Sequence, residues 1–224
     1  MNITKSGFHN ISEITEKTLT ISKNIEVVFY DEWNCVENII LEEWAKLEYF
    51  GYFSKDITYL KHVKTAGEKS QASVNCFLLS KAETKVTAKV IGEVWASYSL
   101  IDTDVVSLVL DGWNIDLDGI IQINEWIEKV EGYLDETNIF LWDKWSVRGF
   151  PTLLVRSDDV KAGHGCNIEK ISDEKLFYMR SRWIGKENAL MMIVSSYIET
   201  IFSGLEKVDE DFHNSLVERI LLEI

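Results

Sequence analysis

From Leu19 to Val155 the apolar residues of this chain recur mostly at every second position, and beyond Cys166 they step by four. A period of two marks a strand with one buried face; a period near four marks an amphipathic helix. The cleanest run is Val86, Ala88, Val90, Gly92, Val94, Ala96, Tyr98 and Leu100, with Thr87, Lys89, Glu93, Ser97 and Ser99 on the other parity. One strand of that length exceeds the usual ~3–10 residues, so Gly92 is expected to mark a bend or a change of rung. Shorter runs precede it at Leu19, Ile21, Ile25, Val27 and Phe29, and at Ile39, Leu41, Leu47 and Tyr49. Others follow at Val106, Leu108 and Leu110, at Ile115, Leu117, Ile121 and Ile123, at Ile139 and Leu141, and at Leu153 and Val155. Residues 1–16 are polar and without period, and are expected to be loosely ordered.

Many short strands, no helix between them, a single proline (Pro151) and no Asn-Gly hairpin turn leave two architectures open. One is an antiparallel sandwich; the other is a parallel β-helix, whose strands return by arcs. The β part is expected over 17–168 and a helical part over 169–224. Ser172 can cap a first helix that carries Asp173 and Glu174 in its first turn, where acids favour the helix dipole. Ala189/Leu190, Ile193/Val194, Tyr197/Ile198 and Ile201/Phe202 then form an unbroken stripe, which must pack on the end of the β part or on a partner. Gly204 is expected to end that helix. A last helix can start near Asp209, with Phe212, Leu216, Ile220 and Ile224 in line.

The net charge of −14 repels a phosphate backbone, so nucleic-acid binding is excluded. Cys35, Cys76 and Cys166 lie far apart, with no C-x-x-C pair, which argues against a disulfide framework and a self-contained zinc or cluster site. No apolar run approaches the ~20 residues of a membrane span, and the first ten residues lack an apolar signal core. A cytoplasmic protein is expected. No phosphate-binding G-x-x-x-x-G-K-[ST], G-x-S-x-G or H-E-x-x-H occurs, so any ATP hydrolysis must come from another chain.

The seam between the two periods, Ser157 to Ile184, holds the chain's one distinctive histidine. His164 sits between Gly163 and Gly165, which reads as a tight, accessible turn. On residue type alone it is either a turn histidine bonded to backbone or a group that ligates a metal or relays a proton. Cys166 lies two positions on, a spacing that on a strand puts both side chains on one face. It is either a second, softer ligand or a buried, inert thiol.

This seam resembles the SufB/SufD family of iron–sulfur cluster assembly proteins. The likeness rests on Asp159-Val160-Lys161, on His164-Gly165, and on the run Asp173 to Arg182, DEKLFYMRSR. It is dense from Leu153 to Ile201 and looser at Asn38–Glu43 and Lys46–Tyr49. Glycine rather than glutamate after His164 is closer to the SufD pattern. The resemblance implies a mainly β fold, a right-handed parallel β-helix (β-solenoid) with a C-terminal helical segment. It also implies a non-enzymatic scaffold or accessory core subunit of a SUF-type assembly complex. His164, a candidate metal ligand, and Cys166 would face a SufB-like subunit across an interface. A transient iron–sulfur cluster would be shared there with that partner, and none held tightly by this chain alone. Leu176, Phe177, Tyr178, Arg180 and Arg182 would dock a SufC-like ATPase. Whether the chain pairs with itself as a homodimer in the absence of such partners is left open by the sequence. The competing readings are a β-helix enzyme using His164 as general base and a homo-oligomeric interaction module without cluster chemistry. Trp44, Trp145 and Trp183 stand where the family has small or polar residues.

Overall fold

A computed structural model describes the chain outside residues 55–56, 82–84, 111–113 and 142–145 and the side chains of 57, 146 and 147. Trp145 therefore lies outside the described residues. Alternating side chains build a stack of parallel strands, narrow at first and then wide. The narrow turns hold β1 (Asn2–Ile3), β2 (Gly7–Asn10), β3 (Thr18–Ile21), β4 (Glu26–Asp31) and β5 (Asn38–Leu41). The wide ones hold β6 (Lys46–Phe53), β7 (Ile57–Thr65), β8 (Gln71–Ser80), β9 (Lys85–Val94), β10 (Leu100–Val109), β11 (Asn114–Ile123) and β12 (Val130–Phe140). The last turn is β13 (Ser146–Gly149), β14 (Thr152–Val155) and β15 (Val160–Lys170). Four helices follow, α1 (Asp173–Arg180), α2 (Lys186–Ile201), α3 (Ser203–Glu206) and α4 (Glu210–Leu222).

One sheet runs β1-β3-β5-β7-β9-β11-β13, with β14 also on β11; the other runs β15-β12-β10-β8-β6-β4-β2. Every pairing is parallel, as in β10 against β8 and β12, so the chain is a β-solenoid and not an antiparallel sandwich. Thr18 pairs with Asn38, 20 positions on, whereas Lys85 pairs with Asn114, 29 positions on. The wide turns use the added length as longer strands. The N-terminal residues are not loose: β1 pairs with β3 and β2 with β4, and Ile3 and Ile11 join the interior core. Two- and four-residue strands are too short to show a period in sequence.

Two cores result. Inward residues such as Leu19, Leu41, Val63, Val90, Ile101 and Ile121 fill the solenoid. A second core covers the outer face of the even-numbered sheet, where Tyr52, Phe77, Leu79, Leu108 and Ile139 meet Val194, Ile198, Phe202, Leu216 and Ile220 of the helices. The helical stripe thus packs along the flank of the solenoid rather than on its end. Double-sided cover also explains why β8 stops alternating, with Cys76 through Ser80 all buried. Ser172 caps α1 by accepting from the Lys175 N–H, and Asp209 caps α4 through the Phe212 N–H. Gly204 does not end α2. It lies within α3, where a Cβ would collide with Glu48 and Phe50.

One corner of the solenoid is built from left-handed residues that are not glycine. Asn24, Trp44, Lys69, Tyr98 and Lys129 have φ of 60°, 60°, 59°, 62° and 53°. Such a conformation costs roughly 1–2 kcal/mol for a residue with a Cβ. Each amide donates to a carbonyl one turn on: Asn24 to Glu43, Trp44 to Glu68, Lys69 to Ser97, Tyr98 to Glu128 and Lys129 to Asp159. Side chains add a cation–π column, with the Lys69 ammonium 4.3 Å from the Trp44 ring and 5.8 Å from Tyr98, and Lys129 5.4 Å from Tyr98. Trp44 thus has a structural account.

Among the described residues the interior also holds a charged pair. Lys61 Nζ lies 3.0 Å from Asp31 Oδ2, both side chains fully buried, and also donates to the Val36 carbonyl. The Tyr49 hydroxyl donates to the same Asp31 oxygen at 3.0 Å, and the Tyr59 hydroxyl to that of Tyr49 at 3.3 Å. Cys76 beside Tyr59 is pushed up to about 12 by burial, which keeps it a thiol. Removing either partner would leave a buried charge, a change that typically costs about 3–5 kcal/mol.

Gly92 is neither a bend nor a rung change; it lies inside β9, and the rung changes at Trp95–Ser99. A Cβ there would stand 2.7 Å from both Ile101 Cγ2 and Ile121 Cδ1. Gly92→Ala should therefore destabilise the fold by about 1–3 kcal/mol through overpacking. Ile121→Val removes the Cδ1 methyl, so the double variant should lose less than the two single losses added together. Urea unfolding of the four proteins measures this; strict additivity would refute the packing explanation.

Candidate functional site

β15 is the last strand of its sheet. It pairs with β12 and, among the described residues, with no other strand. The register sets Val160 on Val130, Ala162 on Gly132, His164 on Leu134, Cys166 on Glu136 and Ile168 on Asn138. Val160 and Ala162 pack against the interior core, so this parity faces inward. His164, Cys166 and Ile168 continue it but have no further turn above them, and all three are exposed. Cys166 is therefore not the buried, inert thiol of the second reading. Nor do Gly163 and Gly165 form a turn: both lie mid-strand, and neither has a positive φ. Gly165 is glycine for space on the outer face, where a Cβ would stand 2.3 Å from Asp135 Oδ1; a Cβ at Gly163 would meet only Tyr133, at 3.8 Å.

Beneath these residues the interior turns polar. Ser107 Oγ donates to Asn138 Oδ1 at 2.5 Å, and Asn138 Nδ2 points to Cys166 Sγ at 3.9 Å. Glu136 is 1% exposed, yet neither of its oxygens completes a hydrogen bond of good geometry. Glycines opposite make its room. A Cβ at Gly119 would fall 2.3 Å from Oε1, and one at Gly149 3.1 Å from Oε2. Burial pushes the Glu136 carboxyl up to about 7, the Gly119 backbone and the Cys166 thiol pull it down, and nearby Asp118 raises it further. Partial burial, and then the Glu136 carboxylate, push the Cys166 thiol up. Among the described residues no three His, Cys, Asp or Glu side chains converge on a metal-sized site. A cation at His164 would draw ligands from outside this set.

The rim around this end is apolar, with Phe150 63% and Ile168 51% exposed, and with Leu154 and Val155 also exposed. Of the five residues expected to dock an ATPase, Leu176 is buried and anchors α1 in the flank core. Phe177, Tyr178, Arg180 and Arg182 are exposed, and the Arg182 guanidinium lies 4.8 Å from the Tyr178 ring. Trp183 follows with φ 67° and is 97% exposed, holding the left-handed position at which a glycine is expected.

Glu136, Asn138 and Ser107 were not singled out by sequence reasoning. Their signal was parity: Glu136 and Asn138 share the inward register of Val130, Gly132 and Leu134. The Glu136 carboxyl has a testable sign. Its folded value near 7 lies above the ordinary 4.5, so the folded state holds its proton more tightly. That contribution is fully present below about pH 4.5 and is lost as pH rises through 7. It should amount to something on the order of 3 kcal/mol. Glu136→Gln should flatten the fall of stability between pH 5 and 8, leaving the parts due to Asp104, raised to about 6 by burial, and to Asp102 and Glu48, which burial also raises. Denaturant titrations across that range measure it; equal slopes would show that the carboxyl is not held protonated by the fold.

The family model for the SufBD core domain of the SUF iron–sulfur cluster assembly system matches residues 37–197. The iron–sulfur cluster assembly protein SufD of Escherichia coli is 29% identical over 114 residues, covering 51% of this chain and 26% of that protein. A SufBD family protein of Pyrococcus horikoshii is 30% identical over 78 residues, 35% of this chain and 18% of that protein. One from Mycobacterium leprae is 36% identical over 56 residues, 25% of this chain and 6% of that protein. The match thus spans about a quarter of the SufD relative. With the family model covering well over half of its residues, this chain belongs to the SufBD core-domain family of iron–sulfur cluster assembly proteins.

Proposed function

We propose that this chain is an accessory core subunit of a cytoplasmic SUF-type assembly complex, pairing through its terminal rung with a SufB-like subunit and docking a SufC-like ATPase on its helices. The carrying observation is the unfinished end of the solenoid: an eleven-residue strand with a free edge, ringed by exposed Phe150, Leu154, Val155 and Ile168. A free strand edge is a template for another chain, and clustered exposed apolar side chains favour cover by a partner. In this reading His164 and Cys166 face the SufB-like subunit, and the cluster under assembly is cargo at that seam. Ligands for it come from both chains, so neither holds it tightly alone. Phe177, Tyr178, Arg180 and Arg182 supply the aromatic and cationic patch on which the ATPase sits. Without a SufB-like chain, the same free edge suits a second copy of this one.

Co-expression with SufB-like and SufC-like chains tests the assignment. The three should co-purify, and anaerobic reconstitution with iron and sulfide should give a cluster absorbance and acid-labile sulfide. His164→Ala should leave folding and co-purification nearly intact, because an exposed substitution usually changes stability by no more than about 0.5 kcal/mol. Cluster yield should collapse. Phe177→Ala with Arg182→Ala should instead release the ATPase and spare the pairing of the core subunits. Wild-type cluster yield from His164→Ala would remove the histidine from the chemistry. Failure to co-purify would remove the proposed partners.

A further inference from the structure

The buried pair where the narrow turns give way to the wide ones has more around it than an ion pair needs. Asp31 ends β4 and Lys61 lies inside β7, so the contact crosses the solenoid interior from one sheet to the other. Both side chains are fully buried. Lys61 Nζ stands 3.0 Å from Asp31 Oδ2, and that oxygen is one bond from the carboxyl carbon. Each oxygen of the carboxyl has its own donors. Oδ1 accepts the backbone N–H of Trp33 at 3.1 Å and of Asn34 at 3.0 Å, and Oδ2 accepts the Tyr49 hydroxyl at 3.0 Å. The Tyr59 hydroxyl donates in turn to that of Tyr49, and burial holds both phenols protonated. On the other side of the nitrogen, the Val36 carbonyl accepts a second N–H. Burial pushes the Lys61 ammonium down, toward the neutral amine, against the pull of Asp31.

We propose that Lys61 and Asp31 join as an isopeptide bond, a covalent cross-link that the folded chain makes by itself. An amine held against a carboxyl, with donors on both carboxyl oxygens, has the parts of an acyl transfer. The ammonium first gives a proton to Oδ2, which leaves a neutral amine beside a neutral acid. Nζ then attacks Cγ, and the Trp33 and Asn34 amides hold the negative charge that gathers on Oδ1. The Cγ–Oδ2 bond breaks as Tyr49 gives its proton to the departing hydroxyl, and the surplus proton on nitrogen restores the phenol. Oδ1 returns to a carbonyl. One C–N bond has replaced one C–O bond, one water leaves, and nothing is oxidised or reduced. The amide carries no charge, so the desolvation that opposes a dry ion pair is removed. The link ties together two residues 30 positions apart, at the step from narrow to wide turns. It lies away from the terminal rung and needs no partner chain, so its failure is separate from a failure of complex assembly.

Mass spectrometry of the full-length chain, denatured after folding, tests the proposal. Wild type should be lighter than its sequence mass by one water. Trypsin should no longer cut after Lys61, and one branched peptide should join the segments that hold Lys61 and Asp31. Tyr49→Phe keeps the ring but removes the donor to Oδ2. Followed from the end of cell-free synthesis, its water loss should be roughly a hundredfold slower than in wild type, the usual effect of losing a positioned general acid. Lys61→Met combined with Asp31→Leu removes both charges together, and should fold by circular dichroism while keeping its full mass. Folded wild type that retains its full mass after prolonged incubation would overturn the proposal, leaving an ion pair only. So would a water loss that persists in the double variant, or one that Tyr49→Phe matches at the wild-type rate.

Discussion

Each inward side chain in this protein rests on another inward side chain one turn away, because every strand pairing is parallel and in register. That constraint makes the solenoid, and it also makes the solenoid's problem. A stack must stop, and its last layer has the inward face of a core and the exposure of a surface. Val160 and Ala162 still meet the core, whereas His164, Cys166 and Ile168 along the same strand do not. Chemistry-bearing residues occupy the positions that packing has left free.

The same register explains the polar interior. An apolar residue under a covered layer is stabilised by burial at roughly 25 cal/mol per Å². Under an open layer that gain falls and a polar group loses less by desolvation. Glu136 and Asn138 lie one rung below the open end; Lys61 and Asp31, deeper in the stack, need each other and two tyrosines. Gly119 and Gly149 show the same logic from the facing sheet, giving up side chains so that the carboxyl fits.

Much of this was legible in the residues. Alternation from Leu19 onward located the strands, and the step of four located α2 with its buried Ala189, Val194 and Ile198. Parallel topology came from the family resemblance, since periodicity alone does not distinguish parallel from antiparallel strands. Glycines misled. Gly92, Gly163 and Gly165 look like turn signals, but all three lie within strands, and Gly92 and Gly165 answer close approaches by distant side chains. The real turns fell on Trp44, Lys69 and Tyr98, whose left-handed backbone is held by hydrogen bonds from another rung. Glu136 was hidden because a charged residue at an inward position reads as a break in the pattern until the register places it beneath Cys166.

The central claim is that the terminal rung is a seam between chains. Hydrogen–deuterium exchange resolved to β15 tests it most directly, with the chain alone and then with a SufB-like partner. Alone, β15 should exchange faster than the central strand β8, which has a neighbour on both sides. With the partner bound, β15 amides should become protected, while β2 at the opposite end of the sheet should not change. Protection confined to β2 or to the helices, with β15 unaffected, would contradict the claim.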